Sequence, residues 1–244
     1  MDFAGSRIWI IGASAGIGAA LARALAGQGA HLILSARDAQ ALDELAADCG
    51  GARAKPLDLA RPETLATVVA ELAHEPPLDA VICTAALYEP SRVAEIDPAQ
   101  ALALVRVNLL GTLEVARLCP PLVRDGGQLV LFGSVAGYLG LPGGQPYSAT
   151  KAAVNNLAET LAVELAPRVD VRLVCPGFVE TRLTARNRFD MPAIVTAEQA
   201  AEAVLRGMRR RGFEIHFPRR FTWAMKLVRA LPYALSLRLS RRLG

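Results

Sequence analysis

Apolar residues along this chain fall into short runs, separated by longer stretches in which they recur every three or four positions. Six runs read as buried strands: Arg7 to Gly12, His31 to Ala36, Ala52 to Leu59, Asp79 to Ala85, Gln128 to Ser134 and Val169 to Cys175. Most are nearly continuous in Ile, Leu, Val and Ala, as strands covered on both faces of a parallel sheet must be. The stretches between them have helical length and spacing: Ile17 to Gln28, Asp38 to Cys49, Pro62 to His74, Pro98 to Leu118 and Tyr147 to Leu165. Strands alternating with helices imply right-handed βαβ crossovers. The pattern therefore predicts an α/β fold, with a doubly wound, mostly parallel sheet of about seven strands and helices on both faces. Ala197 to Arg211 reads as a further helix and Phe213 to Phe217 as the last strand. No repeat or linker breaks the rhythm before about residue 186, so residues 1–217 are expected to form one domain and 218–244 a basic, leucine-rich tail.

Composition narrows the class. Hydrophobic residues make up 52% of the 244, which excludes a disordered or low-complexity chain. Cys49, Cys83, Cys119 and Cys175 are too widely spaced for a disulfide framework or a metal knuckle, so a reducing compartment is expected. His31, His74 and His216 are scattered, and no metal site is expected. Met1 to Ser6 lacks the basic cluster of a signal peptide, which places the expected location in the cytoplasm. Among 27 basic residues only Lys55, Lys151 and Lys226 are lysine, so each lysine's position carries weight.

The first strand runs into Gly12-Ala-Ser14-Ala-Gly16-Ile17-Gly18, just before a helix. Glycines there let backbone approach a pyrophosphate, and the helix N-terminus offers free N–H donors. Tyr147 and Lys151 form Tyr-x-x-x-Lys, Ser134 lies 13 residues before the tyrosine, Asn108 sits in the preceding helix, and Pro176-Gly177-Phe-Val179-Glu-Thr181 follows the sixth strand. With these motifs in this order, the chain resembles the short-chain dehydrogenase/reductase family over roughly residues 5 to 217. The glycine spacing differs from the G-x-G-x-x-G of medium-chain enzymes. The resemblance implies a Rossmann domain containing a catalytic tetrad of Asn108, Ser134, Tyr147 and Lys151.

Elementary chemistry agrees. Residues 147 and 151 lie four apart near a helix start, so they project from one face. A phenol has a pKa of about 10, and a nearby ammonium is expected to lower it. Tyr147 is then the acid for reducing a carbonyl and the base for oxidising an alcohol. Ser134 can donate to the substrate oxygen as charge develops there. The resemblance adds that Lys151 binds the nicotinamide ribose and that Asn108 holds a water linking Lys151 to solvent. It also implies cofactor contacts from Gly12, Ser14, Gly16, Ile17, Gly18, Ala85, Asn108, Tyr147, Lys151, Pro176, Gly177, Val179 and Thr181, with Asp58 and Leu59 recognising adenine.

The end of the second strand selects the cofactor. An acid there would accept the ribose hydroxyls, but the sequence is Leu34-Ser35-Ala36-Arg37. A guanidinium supported by the Ser35 hydroxyl would grip a 2′-phosphate, so NADP(H) is expected. The alternative is that Arg37 is a solvated charge or pairs with Asp38. Two positions depart from the family pattern: Ile11 replaces the usual threonine, and Cys83-Thr84-Ala85-Ala86 replaces Asn-Asn-Ala-Gly. Apolar packing is expected to substitute for the lost hydrogen bonds.

The expected substrate is a small molecule with a carbonyl or alcohol, and a lipophilic one is favoured by the tail and by Phe189, Met191 and Ile194 in the segment 182–195. Arg182, Arg186 and Arg188 in that segment read as a solvated face or a contact for an acidic substrate. The formal charge of +4 hides a division. Residues 209–244 hold ten basic side chains and one acid, while residues 1–208 hold 17 and 22. Leu227, Leu231, Leu235, Leu239 and Leu243 recur every four residues, interrupted by Pro232 and flanked by Arg229, Arg238, Arg241 and Arg242. No stretch of about 20 apolar residues could span a bilayer. Two readings of residues 219–243 stand level. One is a cationic amphipathic helix lying on an anionic membrane. The other has its leucines packing on this domain or on a second subunit, as a lid or as the contact of a homo-oligomer. Nucleic acid is not an expected partner, because the core is acidic and no reader motif occurs. The alternative function is a non-catalytic NADP(H)-binding regulator or membrane-associated scaffold.

Overall fold

The computed structural model describes residues 2–182, 184 and 191–241. Seven strands form one sheet in the order β3-β2-β1-β4-β5-β6-β7: β1 Arg7–Ile11, β2 His31–Ser35, β3 Arg53–Ala54, β4 Leu78–Cys83, β5 Val123–Phe132, β6 Val169–Pro176 and β7 Glu214–Phe217. Every pairing is parallel. The strand order reverses between β1 and β4, the switch point where ligands bind in open α/β sheets. Alternate strand residues feed two cores. Ile8, Ile10, Leu34, Ile82 and Val174 enter one, and Trp9, Ile11, Ile33, Val81 and Cys175 the other.

The helices are α1 Gly16–Ala26, α2 Ala39–Asp48, α3 Pro62–Leu72, α4 Pro98–Leu104, α5 Thr112–Leu118, α6 Tyr147–Glu164, α7 Ala197–Arg209, α8 Arg219–Ala230 and α9 Tyr233–Ser240. Asp38 caps α2 by accepting from the Ala41 N–H, and Thr196 with Gln199 forms a capping box on α7.

Three expectations change. The single helix expected over 98–118 is divided by a π-helical turn, Val105–Gly111, centred on Asn108. There the Asn108 side chain bonds another loop and Gly111 packs on Leu59, where a Cβ would come within 2.7 Å. The third strand shrinks from eight residues to two. Lys55 and Leu57 still donate backbone N–H groups to Leu34 and Ala36, but Pro56 between them has none, as suits an edge strand. The fifth strand starts five residues early, because Arg124, Asp125 and Gly126 hide it from an apolar pattern, and stops at Phe132 before the turn at Ser134.

The tail breaks at Leu231-Pro232 as expected, and its first helix returns to the domain through buried Thr222 and Met225. Among its described leucines Leu231 is half-buried, and the others of the four-residue repeat do not bury there. Leu227, Leu235 and Leu239 are 67%, 49% and 38% exposed, while Ser236 and Ser240 face inward, so packing of these leucines on their own domain is corrected. Arg242 and Leu243 lie outside the described residues.

Candidate active site

The site is assembled where the carboxyl ends of β1, β4, β5 and β6 meet α1 and α6. Gly12 has φ +94°, and a Cβ there would come within 2.5 Å of the Ala85 nitrogen. A Cβ on Gly18 would meet the Gly12 carbonyl oxygen at 2.2 Å, so α1 can approach this turn only through glycine. Gly16 faces Thr181 across the opening, 3.1 Å from where its Cβ would stand. No side chain caps the N-terminus of α1, and its first turn holds no acid. Bare glycine backbone at an uncapped helix start suits a phosphate-bearing cofactor.

Thr84 changes the account of the unusual loop after β4. Its hydroxyl donates toward the carbonyls of Ile11 and Gly12, at 3.2 and 3.0 Å. The hydrogen bonds expected to be replaced by apolar packing are thus supplied by Thr84 instead.

Ser134 and Tyr147 stand together. Ser134 is extended at the head of a 3-10 turn, Val135–Gly137, and its Oγ accepts from the Ala136 N–H at 3.1 Å, which leaves its own proton free to donate. Two glycines let this turn press onto α6: a Cβ on Gly133 would lie 1.9 Å from Asn155 Oδ1, and one on Gly137 would lie 2.7 Å from the Lys151 carbonyl carbon. Asn155 is buried, donates from Nδ2 to the Ser134 carbonyl at 3.4 Å and accepts from the Cys175 thiol at 3.6 Å.

Tyr147 is half-buried, and burial of its phenol pushes the pKa well above the ordinary value, opposed by a hydrogen bond with Ser134. The expected depression by Lys151 is not what governs it. Lys151 Nζ lies 5.7 Å from the Tyr147 ring centre and donates to the Phe132 carbonyl at 2.7 Å. Burial lowers the Lys151 pKa to about 8, partly countered by Cys83 and Cys175. The pair thus consists of a neutral phenol and an ammonium that is easily deprotonated.

Asn108 is fully buried. Its Oδ1 accepts from the Leu87 N–H at 2.7 Å, and its Nδ2 donates to the Leu87 carbonyl at 2.9 Å and to Thr150 Oγ1 at 3.2 Å. It therefore ties the loop after β4 to α6. That loop carries Tyr88, whose ring meets Tyr147 edge-on at 4.7 Å. Sequence reasoning missed Tyr88, and no motif or spacing pointed to it.

At the opposite end, Asp58 is half-buried and Leu59 buried, with the Asp58 carboxylate accepting from the Ala60 N–H at 2.9 Å. Arg37 is exposed and makes no ion pair among the described residues, while Asp38 is occupied capping α2. Ser35 requires correction. It is fully buried, its hydroxyl accepts from the Trp9 indole at 2.9 Å and donates to the Lys55 carbonyl at 2.6 Å, and it has no proton left for a phosphate. Ser14 and Ile17 are half-buried on the glycine turn, and buried Val179 pairs with Val195 beyond the Pro176-Gly177 turn. Arg182 is exposed; Arg186, Arg188 and Phe189 lie outside the described residues. The four cysteines are free and buried, and no cluster of metal-ligating side chains occurs among the described residues.

Comparison with known proteins agrees with this geometry. Residues 6–192 match the family model described as short chain dehydrogenase. An uncharacterized oxidoreductase of Myxococcus xanthus is 31% identical over 243 residues, covering 96% of each chain. A short chain dehydrogenase from Burkholderia cenocepacia, solved in complex with NADP, superimposes with a TM-score of 0.86 at 28% identity, covering 98% of this chain and 99% of that one. A Burkholderia phymatum protein of the same fold, solved with NAD, has a TM-score of 0.83 at 23% identity, covering 93% and 94%.

Proposed function

The chain belongs to the short-chain dehydrogenase/reductase family of oxidoreductases, and from that premise we propose that it interconverts a carbonyl and an alcohol with NADP(H). The observation that carries the reading is the convergence of the Ser134 hydroxyl, the Tyr147 phenol and the buried Lys151 ammonium beside an uncapped α1. The bound nicotinamide would exchange hydride with the substrate carbon. Tyr147 hands its proton to the carbonyl oxygen, and Ser134 donates a hydrogen bond to the same oxygen as its charge grows. Because burial holds the free phenol protonated, reduction starts with the acid in place. In the reverse direction the Lys151 charge opposes the cost of forming a phenolate.

Gly12, Ser14, Gly16, Ile17 and Gly18 would hold the pyrophosphate against α1. Asp58, Leu59 and Ala85 would line the adenosine side, Pro176, Gly177, Val179 and Thr181 the nicotinamide side, and Asn108 a water leading from Lys151. Preference for NADP(H) is supported by the exposed Arg37, by Ala36 in place of an acid, and by the cofactor of the Burkholderia cenocepacia neighbour. A lipophilic substrate is supported by Tyr88 against Tyr147 and by Ile194, 41% exposed.

Residues 1–217 form the catalytic unit of this proposal, set in the cytoplasm. The tail is its contact with an anionic membrane or with a second copy of the chain, since Trp223, Leu227, Tyr233 and Leu237 are each more than half exposed beside Arg219, Arg220, Arg229 and Arg238. No described helix is long and apolar enough to cross a membrane.

The test is a panel of carbonyls and alcohols of graded size and polarity with NADPH or NADH, run on the full-length protein. Turnover of long-chain or polycyclic ketones and aldehydes with NADPH is expected. Preference for small hydrophilic carbonyls would remove the lipophilic claim, and absence of turnover on every compound would remove the reaction itself.

A further inference from the structure

The turn that presents Ser134 ends at Tyr138, whose backbone N–H closes it onto the Val135 carbonyl at 3.0 Å. The Tyr138 side chain is buried and donates its hydroxyl to the carboxylate of Glu214, the first residue of β7. The other oxygen of that carboxylate accepts from Lys226 Nζ on α8. Lys226 also lies 5.7 Å from the centre of the Tyr138 ring and 5.1 Å from that of Trp223. The Ser134 turn thus meets β7 and α8, some 76 residues further along the chain, on one half-buried carboxylate.

Both partners suit that contact. Although burial opposes it, hydrogen bonds from Lys226 and Tyr138 hold the Glu214 carboxyl below its usual range. Burial raises the Tyr138 phenol, so it remains a donor. Lys226 is one of only three lysines in a chain with 24 arginines, and its partner is the sole acid among the ten basic side chains of residues 209–244. Trp223 flanks this contact, its ring edge-on to His216 at 5.5 Å, while Leu227 is exposed on the outer face of α8, so the helix has one face tied inward and one turned outward.

We propose that Lys226, Glu214 and Tyr138 are positioning residues that let the tail helix α8 hold the Ser134 turn in its working geometry. Asn155 grips the turn from α6 at the Ser134 carbonyl, and the Tyr138 phenol grips it from β7 and α8. Release of the second grip leaves the hydroxyl in place but loosens its aim. A donor that counts most in the transition state then loses kcat more than substrate affinity.

This inference rests on the carbonyl–alcohol reading for its kinetics but not for its structural readout. The test compares Glu214→Gln, Lys226→Met, Lys226→Arg and Tyr138→Phe with the parent, all full-length. Hydrogen exchange of peptides covering residues 133–140 is expected to speed up at least fivefold in the first two variants and in Tyr138→Phe. Peptides over Gly12 to Gly18 should not change, and Lys226→Arg should restore most of the protection. In turnover assays Lys226→Met should lower kcat about tenfold with KM within twofold, and it should have no further effect in a Ser134→Ala background. Unchanged exchange in the turn, or equal losses in both backgrounds, overturns the link. A parent without turnover would refute the proposed reaction, while the exchange data still decide whether α8 holds the turn.

Discussion

Arg37 and Ser35 stand two residues apart at the end of β2, and they predict opposite consequences when altered. Arg37 is exposed, unpaired among the described residues and next to an aspartate already used as a cap. A charge-assisted contact to a phosphate is worth about 1.5 to 3 kcal/mol. Exposure and screening hold a single guanidinium near the lower end, about 1.5 to 2 kcal/mol, because Ser35 lends it no help. Arg37→Ala should therefore cut kcat/KM for NADPH about 10- to 30-fold, at about 1.4 kcal/mol per decade, and leave kcat/KM for NADH unchanged. Raising salt should shrink the effect. Ser35→Ala should do the reverse. It strands the Trp9 indole N–H and the Lys55 carbonyl, a cost of about 1 to 3 kcal/mol, while the NADPH/NADH ratio holds. The assay is steady-state kinetics with both cofactors, paired with urea unfolding of each variant. A changed cofactor ratio in Ser35→Ala, or equal losses with both cofactors in Arg37→Ala, would refute the reasoning.

Three further outcomes follow from the site. Gly18→Ala places a methyl against the Gly12 carbonyl and should weaken NADPH binding at least tenfold in calorimetry, whereas Gly50→Ala, at φ +70° in open space, should cost about 1 kcal/mol of stability and no affinity. Lys151, at about 8 in the free enzyme, is charged below that pH and neutral above it. Since kcat/KM reports free-enzyme ionisations, kcat/KM for NADPH should fall as pH rises through about 8, and a flat profile to pH 9.5 would count against the ammonium's role. Burial raises the thiols of Cys83 to about 11 and Cys175 to about 12, and lifts Cys49 and Cys119 as well. Iodoacetamide at pH 8 should therefore leave the native protein unlabelled and modify four thiols after denaturation, as counted by mass spectrometry.

Much of the site was legible because its chemistry is local in sequence. Tyr147 and Lys151 are one helical turn apart, and the glycines cluster before α1, so spacing alone brings each group together. The sheet was legible because strands covered on both faces are continuously apolar. Contacts between distant segments left no such trace. Tyr88 reaches Tyr147 only because Asn108 ties the loop after β4 to α6. Ser35 was misread because strand alternation shows that it shares a face with Ile33, but not that Trp9 and the Lys55 carbonyl wait on that face. Thr84 looked like a lost hydrogen bond, and its hydroxyl proved to reach the glycine turn across the sheet. The net charge concealed most: the basic residues of 209–244 surround one acid, and only the fold shows that Glu214 joins Lys226 to Tyr138.

The central claim is that the Tyr147 phenol carries the proton in an NADP(H)-linked exchange between carbonyl and alcohol. Its most direct test is Tyr147→Phe, measured for NADPH oxidation with the best carbonyl of the panel and for NADPH binding by fluorescence titration. Turnover is expected to fall about 100- to 10,000-fold with binding of NADPH retained. Turnover close to that of the parent, with the cofactor bound, would contradict it.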